Sequence, residues 1–291
     1  MSDLKRAVKE SEGPLAIICG GGSLPFAVAD AALRHGRGIV MFALRGFADP
    51  GRVEAYPHHW TRLGQYGRFC RIARQEGCQE VVCVGSVVRP AVRHIWPDPA
   101  GLLLMSRIVF RGGDNRLLSS IMTAFENDGF RPLGAHEVAP EILLPEGALG
   151  GFHPTRAQRE DIALGLSVLH AIGPFDVGQA AIVADNHVLA VEGAGGTDEM
   201  LAHFADLRRR SRIRSKGGVL IKAPKPGQDR RIDLPAIGPH TVEGAERAGL
   251  AGIASIAGAT IVAEGERVRQ GADRARIFVV GVREHAASSN G

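Results

Sequence analysis

The 291-residue chain predicts an α/β protein in two domains, the first a parallel sheet covered by helices and the second α+β or mixed α/β with an unusual topology. Three observations predict it. Through the first half, short apolar runs alternate with helical patterns, the sequence form of a parallel sheet buried on both faces. The stretch 140–154, PEILLPEGALGGFHP, then sets three prolines and three glycines between two more regular regions. Beyond it the alternation gives way to paired apolar runs, strands without an intervening helix. These features place a first domain over 14–145, a second over 155–285 and a connection over about 146–154.

Residues 15–19 read as the first strand, 39–44 as the second and 80–85 as the third. A helix over 26–35 follows the first strand, and 65–75 carries Phe69, Ile72 and Ala73 at helical spacing. Another helix covers 115–127, closed by Gly129, and 131–137 reads as a further strand. The result is a doubly wound, Rossmann-like beginning. In the second half, 158–171 is helical, and 180–184 with 188–192 make a hairpin around Asp185-Asn186-His187. Thr197 caps a helix reaching about 209, and 219–222, 252–256, 260–263 and 277–280 are later strands.

Composition narrows the function. A 45% hydrophobic and 23% charged chain is ordinary for a globular protein, and a net charge of +4 suits an anionic small molecule or lipid headgroup. At 5% aromatic residues, a surface that stacks bases is not expected, which argues against nucleic acid. Cys19, Cys70, Cys78 and Cys83 form no C-x-x-C pair and read as buried free thiols. Residues 1–13 are polar and unlike a signal peptide, so a cytoplasmic location is expected. The longest smooth apolar stretch, 249–263, falls short of the roughly 18 residues of a membrane span. The histidines make no H-x-x-x-H zinc helix.

Three stretches carry chemistry. Gly20, Gly21, Gly22 and Ser23, followed by Leu24 and Pro25, form a glycine turn between strand and helix, where N–H groups and the helix dipole favour a phosphate. Pro25 replaces the third glycine of a dinucleotide fingerprint, and no Lys-Ser or Lys-Thr pair makes a P-loop. A phosphate site and a turn without a ligand both remain open. Asp198, after Glu192 and a glycine turn, either favours the helix dipole or holds Mg²⁺ against a phosphate.

The third stretch, 220–239, has four prolines that preclude regular helix throughout. In an extended chain Asp229, Arg231 and Asp233 share a face, with Lys222 and Lys225 close upstream. Carboxylates with Arg and Lys equip a metal-assisted phosphoryl site; a solvated, mutually paired loop is the alternative. The basic run over 208–216 is explained as a solvated helix end, with contact to nucleic acid or anionic lipid as the alternative. The apolar 95–110 is either an ordinary core contribution or a surface for acyl chains.

Taken in order, IICGGGSLP at 17–25, VGSVVRP at 84–90, GAHEVAPEILLPEGALG at 134–150, FDVGQAAIV at 175–183, GTDEML at 196–201 and KPGQDRRIDLPAIGPHTV at 225–242 resemble a known family. It is that of the UDP-2,3-diacylglucosamine pyrophosphatases of the lipid A pathway, in the form found in many alphaproteobacteria. The resemblance implies an Mg²⁺-dependent hydrolase that cuts the diphosphate of UDP-2,3-diacylglucosamine to UMP and 2,3-diacylglucosamine 1-phosphate (lipid X). It implies a cytoplasmic enzyme with peripheral contact to the inner membrane, and leaves a homodimer open.

By the same resemblance Asp233 of the R-x-D-L-P motif and Asp229 of Q-D are the first choices for metal-linked catalysis. Asp198 and Glu192 are further metal ligands. Arg231 and Lys222 offset transition-state charge. Gly20, Gly21, Gly22, Ser23, Leu24, Pro25, Gln179, Thr197 and Lys225 contact substrate. Two positions depart from the family pattern: Gly195 stands where glutamate is usual, and 113–118 reads GDNRLL rather than GDDALL. A nicotinamide-dependent oxidoreductase and a non-catalytic nucleotide-sugar or lipid-binding regulator are the competing classes. The missing third glycine opposes the first, and the Asp, Arg and Lys concentrated over 222–233 oppose the second.

Overall fold

In the computed structural model, residues 13–87, 95–109, 114–175, 177–212, 215, 217–225, 230–231 and 234–284 are described. The chain divides into two compact units, Met1–Pro140 and Glu141–Gly291.

The first unit is a five-stranded sheet of β1 (Leu15–Cys19), β2 (Ile39–Leu44), β3 (His58–Thr61), β4 (Glu80–Val84) and β5 (Arg131–Leu133). The order is β3-β2-β1-β4-β5, and every pair is parallel. Its helices are α1 (Leu24–Arg34), α2 (Pro50–Val53), α3 (Tyr66–Gln75), α4 (Pro99–Val109), α5 (Asp114–Asn127) and α6 (Ala135–Val138). All six residues of β2 are buried, as a strand covered on both faces requires. Phe42 of β2 meets Phe69 of α3 edge-on at 4.7 Å, and Phe69 meets Phe125 of α5 at 5.3 Å, so one aromatic cluster ties both helices to the sheet. Cys19, Cys70 and Cys78 are buried free thiols, as read from the sequence, while Cys83, in β4, is a free thiol that is half-buried.

Three local expectations need correction. β3, with the polar sequence HHWT, gives no apolar signal because it is the sheet's edge: three of its four residues are half-buried, and His59 pairs with Glu76 at 2.7 Å. The strand expected over 131–137 stops at Leu133, where extended Gly134 opens the short helix α6. In α4, Leu102 and Leu103 are 61% and 55% exposed, and neighbouring Trp96 is 59% exposed, so these side chains are surface rather than core.

The second unit contains β6 (Gly147–Ala148), α7 (Arg156–Ile172), β7 (Ala180–Ala184), β8 (His187–Val191), α8 (Gly196–Arg209), β9 (Val219–Lys222), β10 (Ala236–Ile237), α9 (Pro239–Arg247), β11 (Gly252–Ile256), β12 (Ile261–Val262), α10 (Gly265–Ala275) and β13 (Phe278–Val282). Its main sheet runs β6-β13-β11-β9-β7-β8, with β9, β11 and β13 parallel and β6, β7 and β8 antiparallel to their neighbours. β10 and β12 pair separately. β6 lies inside the stretch expected to connect the domains and forms an edge of this sheet.

Period-two alternation divides the sheet's side chains between two cores. Ile182, Leu220, Ile253 and Val279 join Leu201 and Phe204 of α8, Val242 of α9 and Val268 of α10. Val183, Val219, Ile221, Ala254 and Val280 pack against Ile162, Leu166 and Leu169 of α7. Helices therefore cover both faces. The predicted hairpin closes through Asp185 and Asn186, both at positive φ (52° and 60°), the pattern of a type I′ turn whose twist suits antiparallel strands.

Candidate functional site

In the first unit the strand order reverses at β1, whose neighbours are β2 and β4, and open α/β sheets bind ligands in the crevice outside such a reversal. The glycine turn stands at that end of β1. The Gly20 N–H donates to the Val84 carbonyl at 2.8 Å, and Gly21 and Ser86 exchange both backbone bonds at 2.8 and 2.9 Å, stitching the turn to the chain after β4. The contact needs glycine: a Cβ at Gly20 would lie 2.8 Å from the Ser86 carbonyl oxygen. Gly22 is exposed at φ +90°, and Pro25 occupies the first turn of α1. Among the described residues, no hydrogen bond takes up the N–H of Gly22, Ser23 or Leu24. Three amide donors thus meet the positive end of α1.

In the second unit the chemistry-bearing side chains converge at the carboxyl ends of β8 and β9. Lys222 ends β9 and is only 6% exposed. Its Nζ donates to Thr197 Oγ1 at 3.0 Å and to the Ala236 carbonyl at 3.0 Å. Thr197 Oγ1 in turn donates to Glu192 Oε1 at 3.2 Å, while Glu192 Oε2 accepts the Gln179 N–H at 3.0 Å. Glu192 follows the last residue of β8 and is 9% exposed. A buried carboxylate and ammonium each cost several kcal/mol to desolvate unless hydrogen bonds replace water, and this chain supplies them.

The sheet register makes the convergence. β7 lies between β9 and β8, and Lys222 pairs with Ala180, so Gln179 and Glu192 arrive together from the two ends of the hairpin. Gly178 permits the approach, since a Cβ there would sit 2.2 Å from the Glu192 carbonyl oxygen. Behind Lys222, Ser255 Oγ donates to its carbonyl at 2.7 Å and lies 2.7 Å from Thr260 Oγ1. Ser255 and Thr260, both fully buried, are supports that the sequence reading missed; a small hydroxyl in an apolar strand was the available signal.

Thr197 does not cap α8, as expected from sequence: Gly195 takes the cap position, and the hydroxyl serves Glu192 instead. Asp198 is exposed in the first turn of α8, and Lys225 and Arg231 are half-buried. Arg230 pairs with Glu284 at 3.4 Å. Asp229 and Asp233, and with them the expected shared face with Arg231, lie outside the described residues. Beside the 193–196 turn a cavity of about 410 Å³ opens between β8 and α8, walled by Leu189, Val191, Met200, Phe204 and Leu207. Arg208 belongs to the frame: its guanidinium donates to the carbonyls of Ala248, Gly249, Ser215 and Gly217, fixing the end of α8.

Both units match one family along their length. Residues 14–142 fit the LpxI N-terminal domain and residues 145–280 the LpxI C-terminal domain. The chain belongs to the LpxI family. It is 42% identical over 272 residues to the UDP-2,3-diacylglucosamine pyrophosphatase LpxI of Caulobacter vibrioides, covering 92% of this chain and 97% of that protein. Family membership thus rests on both units together.

Proposed function

We propose that this chain is a pyrophosphatase that hydrolyses the diphosphate of UDP-2,3-diacylglucosamine, releasing UMP and 2,3-diacylglucosamine 1-phosphate in lipid A synthesis. The observation that carries the reading is the buried Lys222–Thr197–Glu192 chain at the strand ends, in a protein 42% identical to a pyrophosphatase of that name. A diphosphate resists water because its anionic oxygens repel a nucleophile, so charge must be offset and the water aligned. Lys222, held by Thr197 and Ala236, and Arg231 supply positive charge. The open amides of Gly22, Ser23 and Leu24 suit a phosphate of the nucleotide.

Mg²⁺ fits the donor set. Exposed Asp198 is an oxygen donor of the kind a hard cation takes, and Asp229 and Asp233 add carboxylates in the sequence. Glu192 stands behind them, both its oxygens accepting bonds from Gln179 and Thr197. Among the described residues no cluster of three or more His, Cys, Asp and Glu side chains forms a metal cage. When bound, Mg²⁺ neutralises phosphate charge and acidifies a water.

Among the described residues no helix is long and apolar enough to cross a membrane. The individual exposure of Trp96, Leu102 and Leu103 supports the reading that the first unit meets acyl chains and touches the inner membrane peripherally from the cytoplasm. The test is incubation of the purified chain with UDP-2,3-diacylglucosamine, with and without Mg²⁺, while following UMP. Mg²⁺-dependent release of UMP is expected. Tight binding of the UDP-lipid without UMP in either condition would make the chain a binding protein instead.

A further inference from the structure

We propose that Glu192 is a positioning residue, which fixes the direction of the Thr197 hydroxyl and through it the Lys222 ammonium. The inference deepens the pyrophosphatase reading and rests on it for the kinetic part of its test.

The direction of the chain follows from donor and acceptor capacity. A lysine ammonium only donates, and a threonine hydroxyl has one proton and two lone pairs. At Thr197 Oγ1 the Lys222 N–H arriving at 3.0 Å occupies one lone pair, so the hydroxyl proton points to Glu192 Oε1 at 3.2 Å. Glu192 cannot swing away without loss, because Oε2 is held by the Gln179 N–H at 3.0 Å and the residue is 9% exposed. With its proton committed and one lone pair used, Thr197 has only an acceptor left to offer. It therefore meets a ligand through a lone pair, for example towards a water or a cation, and not as a donor to phosphate.

A purely structural glutamate would not need this order of bonds. The pairing of β7 with β8 uses backbone groups and not this side chain, and an uncharged side chain of the same shape would fill the same space. What the charge adds is polarity: an anion two hydrogen bonds from the ammonium, separated from it by one hydroxyl whose orientation the anion dictates.

Glu192→Gln tests this at nearly constant shape. Its amide oxygen can still accept the Gln179 N–H, but its amide nitrogen then donates to Thr197 Oγ1, which turns its proton outward and competes with Lys222 for lone pairs. In the full chain, kcat is expected to fall about tenfold or more with KM within about twofold, while the melting temperature holds within a few degrees. Thr197→Val should fall similarly, the double variant no further, and Thr197→Ser should recover turnover relative to Thr197→Val.

A second readout needs no turnover. Acetylation of Lys222 by acetic anhydride, followed by mass spectrometry in the absence of metal, should be slow in the parent and about threefold or more faster in Glu192→Gln. Unchanged kcat or an unchanged Lys222 labelling rate in Glu192→Gln overturns the proposal, as does a loss of kcat matched by a loss of folded protein. If the parent itself releases no UMP, the substrate reading fails, and the labelling rate alone decides the role of Glu192.

Discussion

The glycine turn after β1 and the Lys222 cluster after β9 both stand at the carboxyl ends of parallel strands, but they are built from opposite materials. The turn offers backbone: amides of Gly22, Ser23 and Leu24 at a helix start, stitched to the neighbouring chain through Gly20 and Gly21. The cluster offers side chains, with Lys222, Thr197 and Glu192 linked at 3.0 and 3.2 Å and buried at the sheet's end. Under the pyrophosphatase reading the turn is an anchor that holds a nucleotide phosphate equally before and during reaction, whereas a charge aimed at the reacting phosphate favours the charge that develops in the transition state. Substitutions in the turn should therefore change KM, and substitutions in the cluster kcat.

Lys222→Met should have the largest effect. It keeps the apolar stem within β9 but removes the ammonium from Thr197 and Ala236, and kcat is expected to fall about 10²–10³-fold with KM little changed. Steady-state UMP release measures both. A loss confined to KM would erase the distinction between the regions. Gly20→Ala is the complementary experiment: its methyl would lie 2.8 Å from a backbone oxygen that cannot rotate away. A stability loss of about 1–3 kcal/mol and a KM raised about tenfold are expected, with kcat changed less. A third variant, Leu103→Asp, tests the exposed face of α4. It should raise KM about threefold for the diacyl substrate and leave UMP binding unaltered; equal weakening of both would remove α4 from acyl-chain recognition.

The same contrast governs how much was legible in the sequence. Strands β1, β2, β7, β9 and β11 are apolar throughout or nearly so because helices cover both faces, and their sequences announce them. Edge strand β3 and the two-residue strands β6 and β10 bury too little to leave a periodic trace, whereas the equally short but buried β12 lies within the strand expected over 260–263. Helices α9 and α10 were missed for a related reason, each short, glycine-containing and polar on its outer face. Gln179, Glu192, Thr197 and Lys222 are each conspicuous in sequence as polar residues at the ends of apolar runs. Their meeting is not, because it depends on β7 being inserted between β8 and β9, and that order is a property of the sheet.

The two regions also sit in units that should respond differently to alkali. All four cysteines and both tyrosines fall in the first unit, and burial pushes the thiols of Cys19, Cys70 and Cys78 up to about 11. For the Tyr56 hydroxyl the value is pushed up to about 12 by burial and by its bond to Asp30 at 2.7 Å. A raised folded-state pKa means the protonated form is favoured by folding, so the stabilisation is complete below the unfolded value near 9 and is lost as pH rises towards 11. Each thiol contributes on the order of 1–3 kcal/mol across that window. Both tryptophans, Trp60 and Trp96, lie in the same unit, so fluorescence reports its unfolding selectively. The urea midpoint followed by tryptophan emission should be flat from pH 7 to 8.5 and fall between pH 9 and 11, and replacing Cys19, Cys70 and Cys78 with alanine should flatten the fall. A midpoint that drops equally in that triple variant would assign the alkaline loss to groups other than these three thiols, Cys83 and Tyr56 among them.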